Sequence, residues 1–357
     1  MRKHYIDNLR WMVILLLIPY HAAQAWNTWG EANYLNFEGN KVPSSFITFF
    51  SAFIMPLLFL LAGVSTRYAL KKRSFGQYIT ERVKRLLVPL AFGVLVLVPP
   101  MTYIADRYNC GYTGGFFEHY GVFFTKFTDL TGGDGGFSFG QFWFLLYLFV
   151  ISLVAIGIIA LVKKMRSGAE VHVPLWLILS FGLPLPILSD WLSVGGKSLA
   201  EFLYLFLIGY YVFADEEAQE KVEKFGSLFL LIGVAAGITS VYMFLWSGKD
   251  FGLANRIAKF VSEWFMILGL IGFGKKHLDH HGKVVTYLSS RSFAFYSWHF
   301  TVLVVMQYLL AEPLKDSIVL LYAIPVVLAY GITFAVSEIF MHVPLLRFLI
   351  GVKAKKQ

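Results

Sequence analysis

Ten stretches of this chain are apolar enough to leave water, at approximately 11–28, 46–69, 86–105, 140–162, 172–190, 199–215, 226–246, 253–273, 293–311 and 316–341. Most approach the roughly 20 residues that a helix needs to cross the hydrocarbon core. The fifth, interrupted by Pro184 and Pro186, is the least regular. The predicted fold class is all-α, a polytopic membrane protein with about ten transmembrane helices in one domain over residues 1–357. Composition closes the alternatives. Only 15% of residues are charged and 57% are hydrophobic, whereas a soluble domain carries about 25% charged residues. That excludes a soluble enzyme, a disordered chain and a secreted disulfide scaffold. Cys110 is the only cysteine, so neither an intrachain disulfide nor a multi-cysteine metal site can form. No metal and no permanently bound cofactor are expected.

A net charge of +9 raises the question of nucleic acid, and the distribution of Lys and Arg answers it. With the N-terminus placed in the cytoplasm, 23 of the 31 basic residues fall on the inner side and 8 on the outer side or at outer helix ends. This follows the positive-inside rule, puts both termini inside, and accounts for the charge through the lipid bilayer alone. Residues 1–10 are basic, and Ala23-Gln24-Ala25 has the form of a signal-peptidase site. Pro19 and His21 within the apolar run argue against cleavage there.

Ionisable side chains within such spans are expensive and usually face a bundle interior or an aqueous cavity. Arg10 and His21 are eleven residues apart, about three turns, so they share a helix face, with His21 roughly 16 Å farther along. Asp7 lies one turn before Arg10 and is placed to pair with it. His299, in Phe295-Tyr-Ser-Trp-His-Phe300, reaches a similar depth eight residues past Arg291. Spacing alone leaves each histidine either a base lining a cavity or a hydrogen-bonded packing residue.

The segment between the second and third spans is the most basic, with Arg67, Lys71, Lys72, Arg73, Arg82, Lys84 and Arg85. Topology explains most of it. Arg82 and Arg85 are more specific, because they fall on one face where a helix enters the membrane, and guanidinium forks match phosphate oxygens. In the eighth span Arg256, Lys259 and Glu263 form one polar stripe in which Lys259 and Glu263 can pair. Asp190, Glu201 and Glu338 sit at helix ends, where interfacial water explains them equally well. The cluster His277, Asp279, His280 and His281 reads as a solvated loop rather than a metal site. Thr131-Gly-Gly-Asp-Gly-Gly136 lacks the Lys-Ser/Thr of a phosphate-binding loop and reads as a flexible connection or a lid in the long outer loop, roughly 106–139.

Together these residues resemble the acyltransferase-3 family of integral-membrane acyltransferases. Tyr5-Ile-Asp-Asn-Leu-Arg10 followed by Ile18-Pro-Tyr-His21 resembles that family's Arg-(ten residues)-His signature, and is closest in character to succinyltransferases of periplasmic glucans. Phe59-Leu-Leu-Ala-Gly-Val64 resembles its Phe-x-x-Ser-Gly-Phe motif, and Arg82-x-x-Arg85 with Pro89 its Arg-x-x-Arg motif. Phe142-Trp-Phe-Leu145 resembles its Leu-Trp-Phe-Leu segment and Tyr296-Ser-Trp-His299 its Tyr-x-x-His segment. The departures are Ala62 for the serine of the second motif, Gln141 for a histidine, and His342 for an acidic residue before the C-terminal proline.

The resemblance implies ten membrane helices in the cell inner (plasma) membrane. It also implies transfer of an acyl group, acetyl or succinyl in type, from cytosolic acyl-CoA to a hydroxyl of a cell-envelope glycan or other small acceptor. Acyl-CoA is then a co-substrate gripped by Arg82 and Arg85. His21 is the expected base, with Arg10 bracing the site, His299 the competing base, and Asp7 and Glu263 the candidate substrate-binding groups. No serine or cysteine nucleophile with a partner base is visible, so direct transfer is preferred. A homodimer is left open, and no nucleic-acid partner is expected. The rival reading is a multi-span transporter of a polar or acylated small molecule, since intramembrane Arg, His and Glu also build relays; the proline pair of the fifth span has no counterpart elsewhere, unlike the repeated halves of many transporters. A sensor or scaffold without chemistry is a further alternative.

Overall fold

A computed structural model describes residues 3–165 and 172–352. Of the basic residues in the charge count, Arg2, Arg166, Lys353, Lys355 and Lys356 lie outside the described residues. The described chain is helical apart from loops and one short ribbon, Ser193–Val194 paired antiparallel with Lys197–Ser198. In chain order the helices are α1 (His4–Gln24), α2 (Lys41–Leu70, with a turn after Ser51), α3 (Phe75–Cys110), α4 (Phe116–Thr125), α5 (Gly140–Met165), α6 (Leu175–Leu188) and α7 (Leu199–Tyr211). They continue as α8 (Glu216–Glu223), α9 (Gly226–Trp246), α10 (Leu253–His277), α11 (Lys283–Ala311), α12 (Ile318–His342) and α13 (Pro344–Leu349).

Seven of these, α2, α3, α5, α9, α10, α11 and α12, are long and apolar enough to cross a membrane. Each covers one of the ten spans read from the sequence. The other three spans fall on α1, whose 21 residues include Asp7, Arg10 and His21, and on the shorter α6 and α7. The irregularity expected of the fifth span is real, because Pro184 and Pro186 lack the N–H that would carry a helix through, and α6 breaks into short pieces around them.

Two compact units emerge. One gathers residues 3–10, 48–82, 147–165 and 172–285; the other gathers 11–47, 83–146 and 286–352. In the first, α2 packs on α7 and α9 on α10 by close backbone approach. A side chain at Gly63 would overlap the carbonyl of Phe206, and one at Gly209 the carbonyl of Leu60. Small residues at such seams let helices meet where burial against lipid supplies little driving force. The start of α1 is fastened in this unit too: the Tyr5 amide donates to Asp279 Oδ1 at 3.0 Å, and Asn8 Nδ2 to the Leu278 carbonyl at 2.5 Å. Asp279 of the His/Asp cluster thus serves a helix end.

In the second unit α3 carries π-turns at Val83–Leu87, Gly93–Leu97 and Asp106–Cys110. The first two precede Pro89 and the Pro99-Pro100 pair, whose rings disturb the carbonyls one turn back, and a widened turn accommodates them. The glycine-rich tract departs from expectation. Gly132, Gly133, Gly135 and Gly136 are buried, Asn109 Nδ2 donates to the Gly133 carbonyl at 2.7 Å, and Gly132 at φ +78° packs where a side chain would press on Thr102 and Ser138. It is packed structure, neither a loose connection nor a lid, because glycine alone combines that backbone with that proximity.

Candidate active site

Pro19 shapes the helix that carries His21. It has no N–H for the carbonyl of Leu15, four residues back, and in hydrocarbon that carbonyl needs another donor. Tyr330 of α12 supplies it, its hydroxyl donating to Leu15 O at 2.7 Å. The carbonyls of Pro19 and Ala22, near the helix end, take hydrogen bonds from Tyr322 Oη at 3.0 Å and Gln307 Nε2 at 3.2 Å. Side chains of α11 and α12 therefore hold the last turns of α1 and the orientation of His21.

The second unit brings His21 and His299 together, with ring centroids 5.4 Å apart. His21 is half-buried and stacks on Phe300 at 4.0 Å with 16° between the planes. Its Nδ1 lies 2.7 Å from Gln24 Oε1. The side-chain carbonyl of Gln24 accepts, so Nδ1 carries the proton and Nε2 presents a lone pair. His299 is fully buried. Its Nδ1 donates to the Tyr296 carbonyl at 2.7 Å, and its Nε2 has no hydrogen-bond partner among the described residues. Both rings are thus held in the same tautomer, and His21 is the more exposed of the two.

Around them the motif segments interlock. Tyr296 Oη donates to the Gln141 carbonyl at 2.6 Å, and Gln141 Nε2 donates to the Ser297 carbonyl at 3.0 Å. Tyr34, buried beyond the end of α1, sets its ring edge on Phe300 at 5.2 Å and donates to Ser138 Oγ at 3.3 Å.

The first unit holds the other candidates. Arg10 Nη2 donates to the Leu61 carbonyl at 2.6 Å and to Ser65 Oγ at 2.5 Å, and Nη1 faces Asp7 Oδ1 at 3.5 Å. The Asp7 pairing expected from spacing is present, and the guanidinium is engaged with α2 at the segment Phe59–Val64. Arg82 is half-buried, donates from Nη2 to Thr66 Oγ1 at 3.1 Å and lies over the Tyr78 ring at 4.7 Å. Arg85, in the other unit, is exposed. Beyond Arg82 the helix passes into the π-turn Val83–Leu87, so the regular α-helical face inferred for the two arginines does not continue between them. Glu263 is buried in α10 within hydrogen-bonding reach of Glu201 and near Lys259, with its Oε1 unpartnered among the described residues. Arg256, on the same helix as Lys259 and Glu263, pairs with Asp190 at 2.5 Å.

Sequence reasoning missed Gln24, Phe300, Tyr34, Ser65 and Thr66. Gln24 had a signal, a polar side chain one turn past His21. Tyr34 and Ser65 had none. It also missed His119, fully buried with Nε2 3.1 Å from Asp106 Oδ2 and Nδ1 unpartnered among the described residues. Burial holds this imidazole below its ordinary value, and Asp106 only partly offsets that.

With this arrangement in view the likeness to known proteins becomes specific. A model of the acyltransferase domain matches residues 3–342. The chain belongs to the acyltransferase-3 family. The glucans biosynthesis proteins C of Salmonella paratyphi B, Salmonella heidelberg and Salmonella schwarzengrund are each 22% identical to it over 177 residues, which is 47% of this chain and 42% of theirs. The chain thus matches less than half the length of these curated relatives. No solved structure matches it. Family and fold together make it a membrane-embedded, multi-span member.

Proposed function

We propose that this protein moves an acyl group, of acetyl or succinyl type, from acyl-CoA to a hydroxyl of a cell-envelope glycan or other small acceptor, in the cell inner membrane. The carrying observation is His21: half-buried, its Nδ1 committed to Gln24, its Nε2 free to accept. In the proposed step His21 Nε2 takes the proton of the acceptor hydroxyl as the oxygen attacks the thioester carbonyl. The tetrahedral intermediate expels the coenzyme A thiolate, which receives the proton from His21. Protons balance, and no covalent enzyme intermediate is formed.

Arg10 is better suited to positioning than to touching the donor, because its Nη2 is taken by the Leu61 carbonyl and Ser65. The phosphate-binding role proposed for Arg82 and Arg85 rests on their guanidinium chemistry, with Arg85 the more accessible of the two. Asp7 is proposed to act through Arg10. Glu263 is proposed as a substrate-side group on the strength of its unpartnered buried oxygen.

The experiment is acyl transfer by purified protein with acetyl-CoA and succinyl-CoA. General-base catalysis contributes roughly 10²–10⁴-fold, so His21→Ala should lose about that much turnover with acyl-CoA affinity near normal. His299→Ala should lose less. Near-normal turnover in a folded His21→Ala protein removes the assignment. If neither thioester is bound or consumed by the wild type, the donor class is wrong.

A further inference from the structure

Helix α4 (Phe116–Thr125) belongs to the long outer segment and takes no part in the chemistry above. Its residues divide into two faces. His119 and Phe123, one turn apart, are fully buried, with His119 bonded to Asp106 of α3. Phe117 and Phe124, seven residues apart and therefore on one face, are exposed, Phe117 to 89% of its surface. Phe127, just beyond the helix end, is 62% exposed as well. A ten-residue helix and its exit leaving three phenylalanines in water would stand against the preference of every one of them.

The direction of that row is fixed by Tyr120, which lies between Phe117 and Phe124 on it. Its hydroxyl donates to the carbonyl of Leu95 in α3. Leu95 and Val96 are themselves exposed, at 48% and 49%, and in a spanning helix such residues face acyl chains. The aromatic row is therefore continuous with a lipid-facing surface. Of the polar groups nearby, Lys126 pairs with Asp134 at 3.2 Å, and Glu118 and Thr125 are exposed.

We propose that α4 is an interfacial helix lying along the outer leaflet, with Phe117, Phe124 and Phe127 inserted among the acyl chains. An amphipathic helix of this kind buries its apolar face about 5–10 Å into the headgroup and acyl boundary. The occupant of the exposed face is lipid hydrocarbon. Pairing of His119 with Asp106 then ties the membrane-bound helix to α3, and the segment packs down onto the bilayer instead of extending outward as a free loop.

The test uses the full chain with Cys110→Ser, carrying a nitroxide on one introduced cysteine at a time in liposomes of phosphatidylethanolamine and phosphatidylglycerol. Phe117→Cys and Phe124→Cys are compared with Val96→Cys as the hydrocarbon reference and Asp129→Cys as the aqueous one. Collision with oxygen should exceed collision with a water-soluble nickel chelate at 117 and 124, as at 96, with the reverse at 129. A nickel-accessible signal at both 117 and 124 overturns the proposal by placing the face in water. Shielding from both reagents overturns it by placing a protein surface there. The labelled positions are exposed, so neither change disturbs packing.

Discussion

At residue 21 the decisive feature is which nitrogen carries the proton. A histidine can serve as a base only through the nitrogen that is bare, and the Gln24 side chain settles that for His21 by accepting from Nδ1. Gln24→Leu removes the acceptor and lets the ring rotate or exchange tautomer. A single such hydrogen bond is worth about 0.5–1.5 kcal/mol, so turnover should fall roughly two- to tenfold, while Gln24→Glu should largely retain it. An unchanged rate in Gln24→Leu would show that the orientation is set elsewhere, with Phe300 stacking the remaining candidate. A second residue-scale prediction concerns His119 in α4. Its folded-state value lies below the unfolded one near 6.5, so the unfolded segment binds more protons than the folded one in that window. Stability is then complete above about pH 6.5 and is lost as pH falls below it. The groups facing this ring are Asp106, Tyr103 and Tyr112, with Lys126 nearby. Protection factors of the α4 amides, corrected for the fall of intrinsic exchange with pH, should drop between pH 7 and pH 5, and His119→Gln should flatten that dependence; an equal drop in both proteins would exclude the histidine as its source.

Among the elements, the α2–α7 pair makes the sharpest mechanical claim. Gly209 sits where an added methyl overlaps the backbone of Leu60, and backbone cannot be moved aside as a flexible side chain can. Gly209→Ala should lower unfolding stability in detergent by about 1–3 kcal/mol, the usual cost of overpacking. Gly331→Ala is the control, because nothing stands within 4 Å of its new carbon; equal melting temperatures for the two variants would show that the helices separate at no cost. The same elements show what can be read beforehand. The seven long helices are legible because twenty apolar residues have one outcome in a bilayer. The π-turns of α3 are not, since proline announces a disturbance without saying how the chain absorbs it. The tract Thr131-Gly-Gly-Asp-Gly-Gly136 eludes sequence reading for a related reason. It has the composition of a flexible loop, and only the packing of Asn109, Thr102 and Ser138 around it reveals that the glycines supply close approach.

For the whole molecule, local pairs in sequence were the readable part of the site and distant ones were not. Asp7 with Arg10 follows from helical spacing, whereas the meeting of His21 with His299, 278 positions on, needed the fold, and its anticipation rested on equal depth. Depth in turn depends on which end of each span faces the cytoplasm, and the split of 23 against 8 basic residues carries that assignment. We therefore expect the loops near 75, 165, 220 and 280 on the cytoplasmic side and the long loop around 120, which includes Asp129, outside. Met165 and Asp129 are exposed, so a cysteine at either site is reachable once the intrinsic Cys110 is replaced by Ser. In intact cells a membrane-impermeant maleimide should label Asp129→Cys and leave Met165→Cys unlabelled until the membrane is opened. The opposite pattern would turn every helix over: His21 would lie the same distance from the two faces as before, but Arg82 and Arg85 would open outward, away from any cytosolic pool of coenzyme A thioesters. The donor assignment would then fail even with the histidine geometry intact, which is why this labelling result bears on the chemistry as directly as a kinetic assay does.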